Sequence, residues 1–107
     1  VRFICTDLRY KRTASTMMDA AQRAWFETQM QQPEPVKVWV MDAPWIISDP
    51  PTSPTAGGDK WSDYPDEHDD LGAWIAANAV GQVIAIHGDM HALSADDGTN
   101  NQWGGFP

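Results

Sequence analysis

The chain has 107 residues, room for one domain at most. Its composition is 42% apolar with six tryptophans, which is globular and not disordered. Fifteen acidic residues stand against seven basic ones, and the resulting net charge of −8 repels phosphate backbones, so nucleic acid is not expected as a partner. No apolar run approaches the ~18 residues of a membrane span, so no stable membrane insertion is expected, and the single cysteine, Cys5, excludes an internal disulfide.

Residues 2–6 (RFICT) are apolar, β-branched and aromatic and predict a strand, with Cys5 a buried structural thiol within it. Because the chain opens inside this strand without a Met and closes on Gly104-Gly105-Phe106-Pro107, it reads as a piece of a longer protein, and there is no targeting segment from which to read a location. A charged loop follows from Asp7 to Arg12. Thr16 and Asp19 form a capping-box pattern that predicts a helix over 17–31, with Met18, Ala21, Trp25 and Thr28 on its inward stripe and Pro33 and Pro35 ending it. Val36–Met41 (VKVWVM) predicts a second strand, buried on both faces apart from Lys37.

Residues 42–64 form a long loop, rich in Pro, Gly, Ser and Thr up to Lys60 and without periodicity, the kind of segment that serves as a lid or binding loop or is simply mobile. Trp61 and Tyr64 at its end either line a site or, as aromatic residues before a helix more often do, anchor packing. A second helix is predicted over 65–78. Pro65 suits its first turn, and Asp66, Glu67, Asp69 and Asp70 are a solvated start favoured by the helix dipole. Leu71, Trp74, Ile75 and Asn78 mark its inward face, and Gly81 stops it. Residues 82–86 (QVIAI) predict a third strand, and Asp96 and Asp97 beyond it look like turn chemistry. The order β-α-β-loop-α-β indicates an α/β layered fold.

The third strand runs into His87-Gly88-Asp89-Met90-His91. A carboxylate and an imidazole delivered at the carboxyl end of a buried strand stand where open α/β sheets bind ligands. If the backbone stays extended, Asp89 and His91 leave on one face, and Gly88 allows a sharp turn beside them. Carboxylate with imidazole suits a metal such as iron, manganese or zinc; as an isolated tetrapeptide the same residues also suit a polar turn. His87 reads as a satisfied histidine at a strand end, or as a hydrogen-bonding neighbour of the site. Arg9 either clamps a phosphoryl oxygen or anchors its loop through a carboxylate, and the residues alone leave both open.

Taken in order, Asp7-Leu8-Arg9, Thr16-Met17-Met18 with Gln22 and Trp25, the strand Val36–Met41, Trp61-x-x-Tyr64 before an acidic helix, and Gly88-Asp89-Met90-His91 resemble the carboxyl-terminal part of the PhoD-like alkaline phosphatases, within the calcineurin-like metallophosphoesterase superfamily. There the pieces read roughly D-T-R, T-M-L-G-x-x-Q-x-x-W-L, W-x-G-Y-x-x-E-R and G-D-x-H. The resemblance spans Phe3 to His91, and its specificity lies in the order and spacing of the pieces. Leu8, His68 and His87 depart from the family pattern.

The resemblance implies part of a four-layer α/β/β/α sandwich, with residues 1–107 the C-terminal part of one domain whose N-terminal part lies upstream. It implies iron and calcium as cofactors, Asp89 and His91 as metal ligands, and hydrolysis of a small phosphoric ester by a metal-activated water. It also suggests a secreted or periplasmic protein. The family's upstream metal motifs have no match in these residues, which leaves a non-catalytic scaffold or binding remnant as the alternative. A phospholipase-type diesterase, with the stretch from Trp45 to Tyr64 as a lipid-facing lid, is a further variant. By itself the piece is expected to be marginally stable and to expose apolar faces of the Val36–Met41 and Val83–Ile86 strands.

Overall fold

Parallel strands cannot be joined by a tight turn, and both crossovers of this chain carry a helix. In the computed structural model, which describes residues 1–46, 58–89, 95–97 and 99, the elements are β1 (Arg2–Cys5), α1 (Ala20–Met30), β2 (Val36–Met41), a 3₁₀ turn (Trp61–Asp63), α2 (Pro65–Asn78) and β3 (Gln82–His87). The strands form one parallel sheet in the order β1-β2-β3, with Ile4 beside Trp39 and Trp39 beside Ala85. This is an α/β fold, as the alternation of elements predicts. Two right-handed crossovers that step the same way across a sheet put both helices on one face.

The burial pattern follows from that. Ile4, Trp39 and Val83 face the helices and are buried with Phe26 and Met30 of α1 and Leu71 and Ile75 of α2. Trp39 is the centre of an aromatic cluster. Its ring lies 4.8 Å from Phe26, 5.1 Å from Trp45 and 6.3 Å from Trp61, and its indole N–H donates to Thr6 Oγ1 at 2.9 Å. Each ring contributes buried apolar area and tilted ring contacts, and the hydrogen bond satisfies the polar edge.

On the other face the register brings Phe3, Val38 and Ile84 together, and next to them Cys5, Val40 and Ile86. No described helix covers this face. Phe3 is 68% exposed, Ile86 50% and Ile84 43%, while Val38 in the middle strand is buried. Of the two strands expected to expose an apolar face, β3 does so through Ile84 and Ile86, whereas Val38 of β2 is buried and the other exposed strand is β1, through Phe3. Cys5 is exposed and not the buried thiol expected from its apolar strand, because it sits on the uncovered side.

Both helices depart from their expected phase. α1 starts at Ala20, not 17. Asp19 is its N-cap, accepting from the Gln22 N–H at 3.1 Å, while Glu67 of α2 accepts the Met17 and Met18 N–H groups at 2.6 and 3.1 Å and holds them outside the helix. Met18 is buried from this non-helical segment and does not set the helix phase. The buried positions of α1 are Phe26 and Met30, and Trp25 is largely exposed. Glu67 is accordingly half-buried and not part of a solvated helix start; burial raises its pKa above the usual carboxylate value, against the two N–H donors that lower it. α2 spans the expected residues but buries His68, Leu71, Gly72 and Ile75, leaving Trp74 partly covered and Asn78 exposed.

The amino end of the sheet is closed by cations. Lys37 is fully buried, not solvent-facing as the strand reading has it. Its ammonium donates to the carbonyls of Gln32 at 2.5 Å and Glu34 at 2.6 Å, and also to that of Val80. Those carbonyls belong to the turns entering β2 and β3, so one side chain ties the two turns together. Arg2 beside them grips Glu34 with Nε and Nη2, at 2.9 and 2.6 Å. This pairing holds the Glu34 carboxyl down at about 2, from an ordinary 4.5. A depressed carboxylate pKa stabilises the fold fully above the ordinary value, and the contribution is lost as pH falls from about 4.5 to about 2. Thermal melts of wild type and Glu34→Gln should differ at neutral pH and converge toward pH 2; a gap that stays constant would contradict the pairing.

Gly81 does not terminate α2, whose C-cap is Ala79. It turns the chain into β3 with φ +80°, and a Cβ there would lie 2.4 Å from the Pro35 carbonyl oxygen. That carbonyl accepts the Gln82 N–H at 2.8 Å, the bond that starts β3 against β2. Gly81→Ala is therefore expected to lower stability by about 1–3 kcal/mol in denaturant titration, and an unchanged midpoint would show that the turn relaxes freely.

Candidate active site

The opposite, carboxyl end of the sheet gathers polar residues from all three strand ends. The loop after β1 is fixed first. The Gln22 side-chain amide clamps the backbone of Asp7 at two points, accepting from its N–H and donating to its carbonyl, both at 2.8 Å. The Asp7 carboxylate accepts the N–H groups of Arg9 and Tyr10 at 3.0 and 2.9 Å, an Asx-type turn that lowers its pKa through those two bonds. Leu8, fully buried, pegs the turn into the core. The expected D-L-R loop is thus a rigid platform with Arg9 at its tip.

Arg9 reaches across the sheet edge. Its Nε donates to Asp42 Oδ2 at 3.0 Å, just past the end of β2, and its Nη2 donates to Asp89 Oδ2 at 2.7 Å, just past the end of β3. Asp42 also accepts the Leu8 N–H through Oδ1 at 3.3 Å. The negative charge of Asp89, then that of Asp42, pushes the guanidinium pKa further up, so Arg9 is a permanent cation. None of the three is sequestered: their side chains are 46% (Arg9), 37% (Asp42) and 51% (Asp89) exposed, so they are open to solvent. Beside Asp7 lies an open cavity of about 330 Å³, bordered by Tyr10, Gln22 and the exposed ring of Trp25.

Sequence reasoning left Arg9 between two roles, and the structure shows it paired with two carboxylates, Asp42 and Asp89, with its side chain still 46% exposed. It missed Asp42, whose signal was an acidic residue directly after a buried parallel strand. Asp89 has φ +75°, the left-handed region that Asp tolerates better than most residues. The chain therefore turns at Asp89 and not at Gly88, and the same-face argument from extended backbone does not apply to Asp89 and His91. His91 lies outside the described residues, as do residues 47–57 of the long loop. Past that gap, Asp97 Oδ1 accepts the Thr99 N–H at 3.1 Å, the turn chemistry expected there.

Trp61 and Tyr64 are packing anchors. Both are buried, as is Trp45, so these three aromatic side chains of the 42–64 stretch do not face a lipid surface. The Tyr64 hydroxyl lies 3.0 Å from the Thr13 carbonyl and 2.9 Å from that of Gly58. His68, which departs from the family pattern, is a core residue. Its ring lies 4.2 Å from Trp45 and 5.8 Å from Trp61, with Nε2 2.9 Å from the Trp45 carbonyl oxygen. Burial lowers its pKa, which favours the neutral ring. The register sets His87 beside Met41, partly buried at the end of β3.

Asp89 offers hard carboxylate oxygen at an open sheet edge, a donor that suits calcium and iron. The donor type fits, while among the described residues no group of three or more His, Cys, Asp or Glu is placed to hold a metal ion. No helix among them is long and apolar enough to cross a membrane. A family model described as PhoD-like phosphatase matches residues 4–104. No curated protein and no solved structure matches the chain.

Proposed function

The chain belongs to the PhoD-like phosphatase family, and from that premise we propose that it supplies one edge of the metal centre, and the substrate-facing arginine, of a phosphoric-ester hydrolase. The observation that carries the reading is Arg9 held between Asp42 and Asp89 at the carboxyl edge of a parallel sheet. Asp89 and His91 hold the metal in this reading, with calcium and iron the expected ions. When bound, they neutralise phosphoryl charge and make water a better nucleophile.

The chain's own residues supply positioning. Gln22 and the Asp7 turn fix the backbone of Arg9, so little conformational freedom is left for a substrate to remove. A guanidinium presents paired N–H donors that match two oxygens of a phosphoryl group. Asp89 meets Arg9 through Oδ2. Were Asp89 to take up a cation, its hold on the Nη2 edge of Arg9 would weaken, and that edge would be free for an incoming anion.

We further propose that the sheet is one inner layer of the α/β/β/α sandwich and the chain the C-terminal part of a longer domain of the calcineurin-like superfamily. The uncovered apolar face of β1 and β3 supports this, since such a face is a natural seat for a second sheet. A secreted or periplasmic location belongs to the same proposal and rests on the family alone.

The test is turnover by the natural protein of 4-nitrophenyl phosphate and bis(4-nitrophenyl) phosphate, with calcium and iron supplied. Hydrolysis of either, abolished by chelation, is the expected result. No turnover of either would favour the non-catalytic scaffold.

A further inference from the structure

We propose that Asp42 is a positioning residue: it retains Arg9 over the site when Asp89 turns to a cation, and so decides whether the guanidinium serves the substrate or competes with the metal. The inference rests on the hydrolase reading above and goes beyond it in assigning Asp42.

The geometry separates two jobs on one guanidinium. Nε is held by Asp42 and Nη2 by Asp89, two carboxylates just past the ends of neighbouring strands. The Asp89 contact is the shorter, at 2.7 against 3.0 Å, but the Asp42 carboxylate has a second anchor. The same carboxylate takes the Leu8 N–H, and Leu8 is buried, so Asp42 is fixed to the loop that carries Arg9. The Asp89 contact comes from the far edge strand, at a residue half-exposed to solvent.

A cation at Asp89 opposes the guanidinium charge directly, so the Asp89 contact is the one that yields. With Asp42 in place, Arg9 then stays over the sheet edge and presents its Nη edge to a phosphoryl oxygen. With Asp42 neutralised, Asp89 is the remaining carboxylate partner shown for Arg9. The guanidinium follows it and resists the incoming metal.

The test is a double-mutant cycle in the natural protein, reading both metal binding and kinetics. Asp42→Asn keeps an acceptor for the Leu8 N–H and removes only the charge, which guards against misfolding. It is expected to raise KM for the aryl phosphate about 10-fold, the order of effect of losing one hydrogen bond to a charged group, with a much smaller change in kcat. It should also raise the calcium concentration needed for half-saturation in a direct binding titration.

Arg9→Ala should raise KM without weakening calcium binding. Adding Asp42→Asn to Arg9→Ala should then change neither KM nor calcium binding further, because Asp42 acts through Arg9. Asp42→Glu should recover part of the KM loss. Additive effects, or an unchanged KM and calcium titration in Asp42→Asn while wild type turns over, would overturn this inference alone. A wild-type protein that neither binds metal nor turns over would overturn the hydrolase reading, and this inference with it.

Discussion

If Asp89 is a metal ligand as proposed, replacing it by Asn in the natural protein is expected to lower phosphate-ester turnover by at least ~100-fold, because losing a direct ligand should cost no less than losing a group that merely orients one. The substitution is conservative in every other respect. Asn tolerates the left-handed backbone at φ +75° about as well as Asp, keeps the side-chain volume and retains an acceptor for Arg9. The side chain is half-exposed beyond the end of β3, so stability should change by no more than about 0.5 kcal/mol. The measurement pairs kcat at saturating metal with a thermal melt of the same variant. A well-folded Asp89→Asn protein that turns over like wild type would remove Asp89 from the metal centre. One that has simply lost its melt would show that the carboxylate is structural.

The second large effect is on stability. Lys37→Ala is expected to cost about 3 kcal/mol, since it strips the donor from three turn carbonyls and also empties the space filled by a buried aliphatic stem. Gln32, Glu34 and Val80 all give their carbonyls to this ammonium, and the backbone bonds Val80 N–H to Met30 and Gln82 N–H to Pro35 lie in the same region. Loss of the cation therefore loosens the entry to two of the three strands together. Lys37→Met separates the two contributions, because it keeps most of the stem. It should retain the packing and still lose the greater part of the stability in a denaturant titration. A Lys37→Met protein as stable as wild type would show that those carbonyls find other donors and that the stem alone mattered.

The order of elements was legible because each rests on a local signal: the apolar runs of β1, β2 and β3, Pro65 opening α2, and Pro33 following α1. The phase of the helices was not. Met17 and Met18 look like the first helical turn, yet Glu67, almost fifty positions later in the chain, takes their N–H groups. Lys37 was set apart from the buried strand on polarity and His68 was read only as a departure from the family pattern, whereas each is buried by partners that the sequence does not announce: three turn carbonyls for the lysine, the Trp45 carbonyl and aromatic rings for the histidine. Cys5 failed in the opposite sense, because a single strand cannot say which of its faces a helix will cover.

Motif order singled out Arg9 and Asp89, and the structure brings these two together at one sheet edge, where a loop after one strand meets a loop after another. Asp42 was not legible, because a lone acidic residue at the head of a proline-rich loop looks like any loop residue until parallel pairing brings it next to Arg9. The left-handed backbone at Asp89 was likewise hidden behind a glycine that seemed the natural place for the turn.

The central claim is that Asp89 and His91 hold metal in the natural protein. The most direct measurement is the bound calcium and iron per polypeptide after exhaustive desalting, in wild type and in Asp89→Ala and His91→Ala. Tightly held metal in wild type, with at least one ion lost in each variant while the melt stays cooperative, is the predicted result. Equal metal content in all three proteins, or none in wild type, would contradict it.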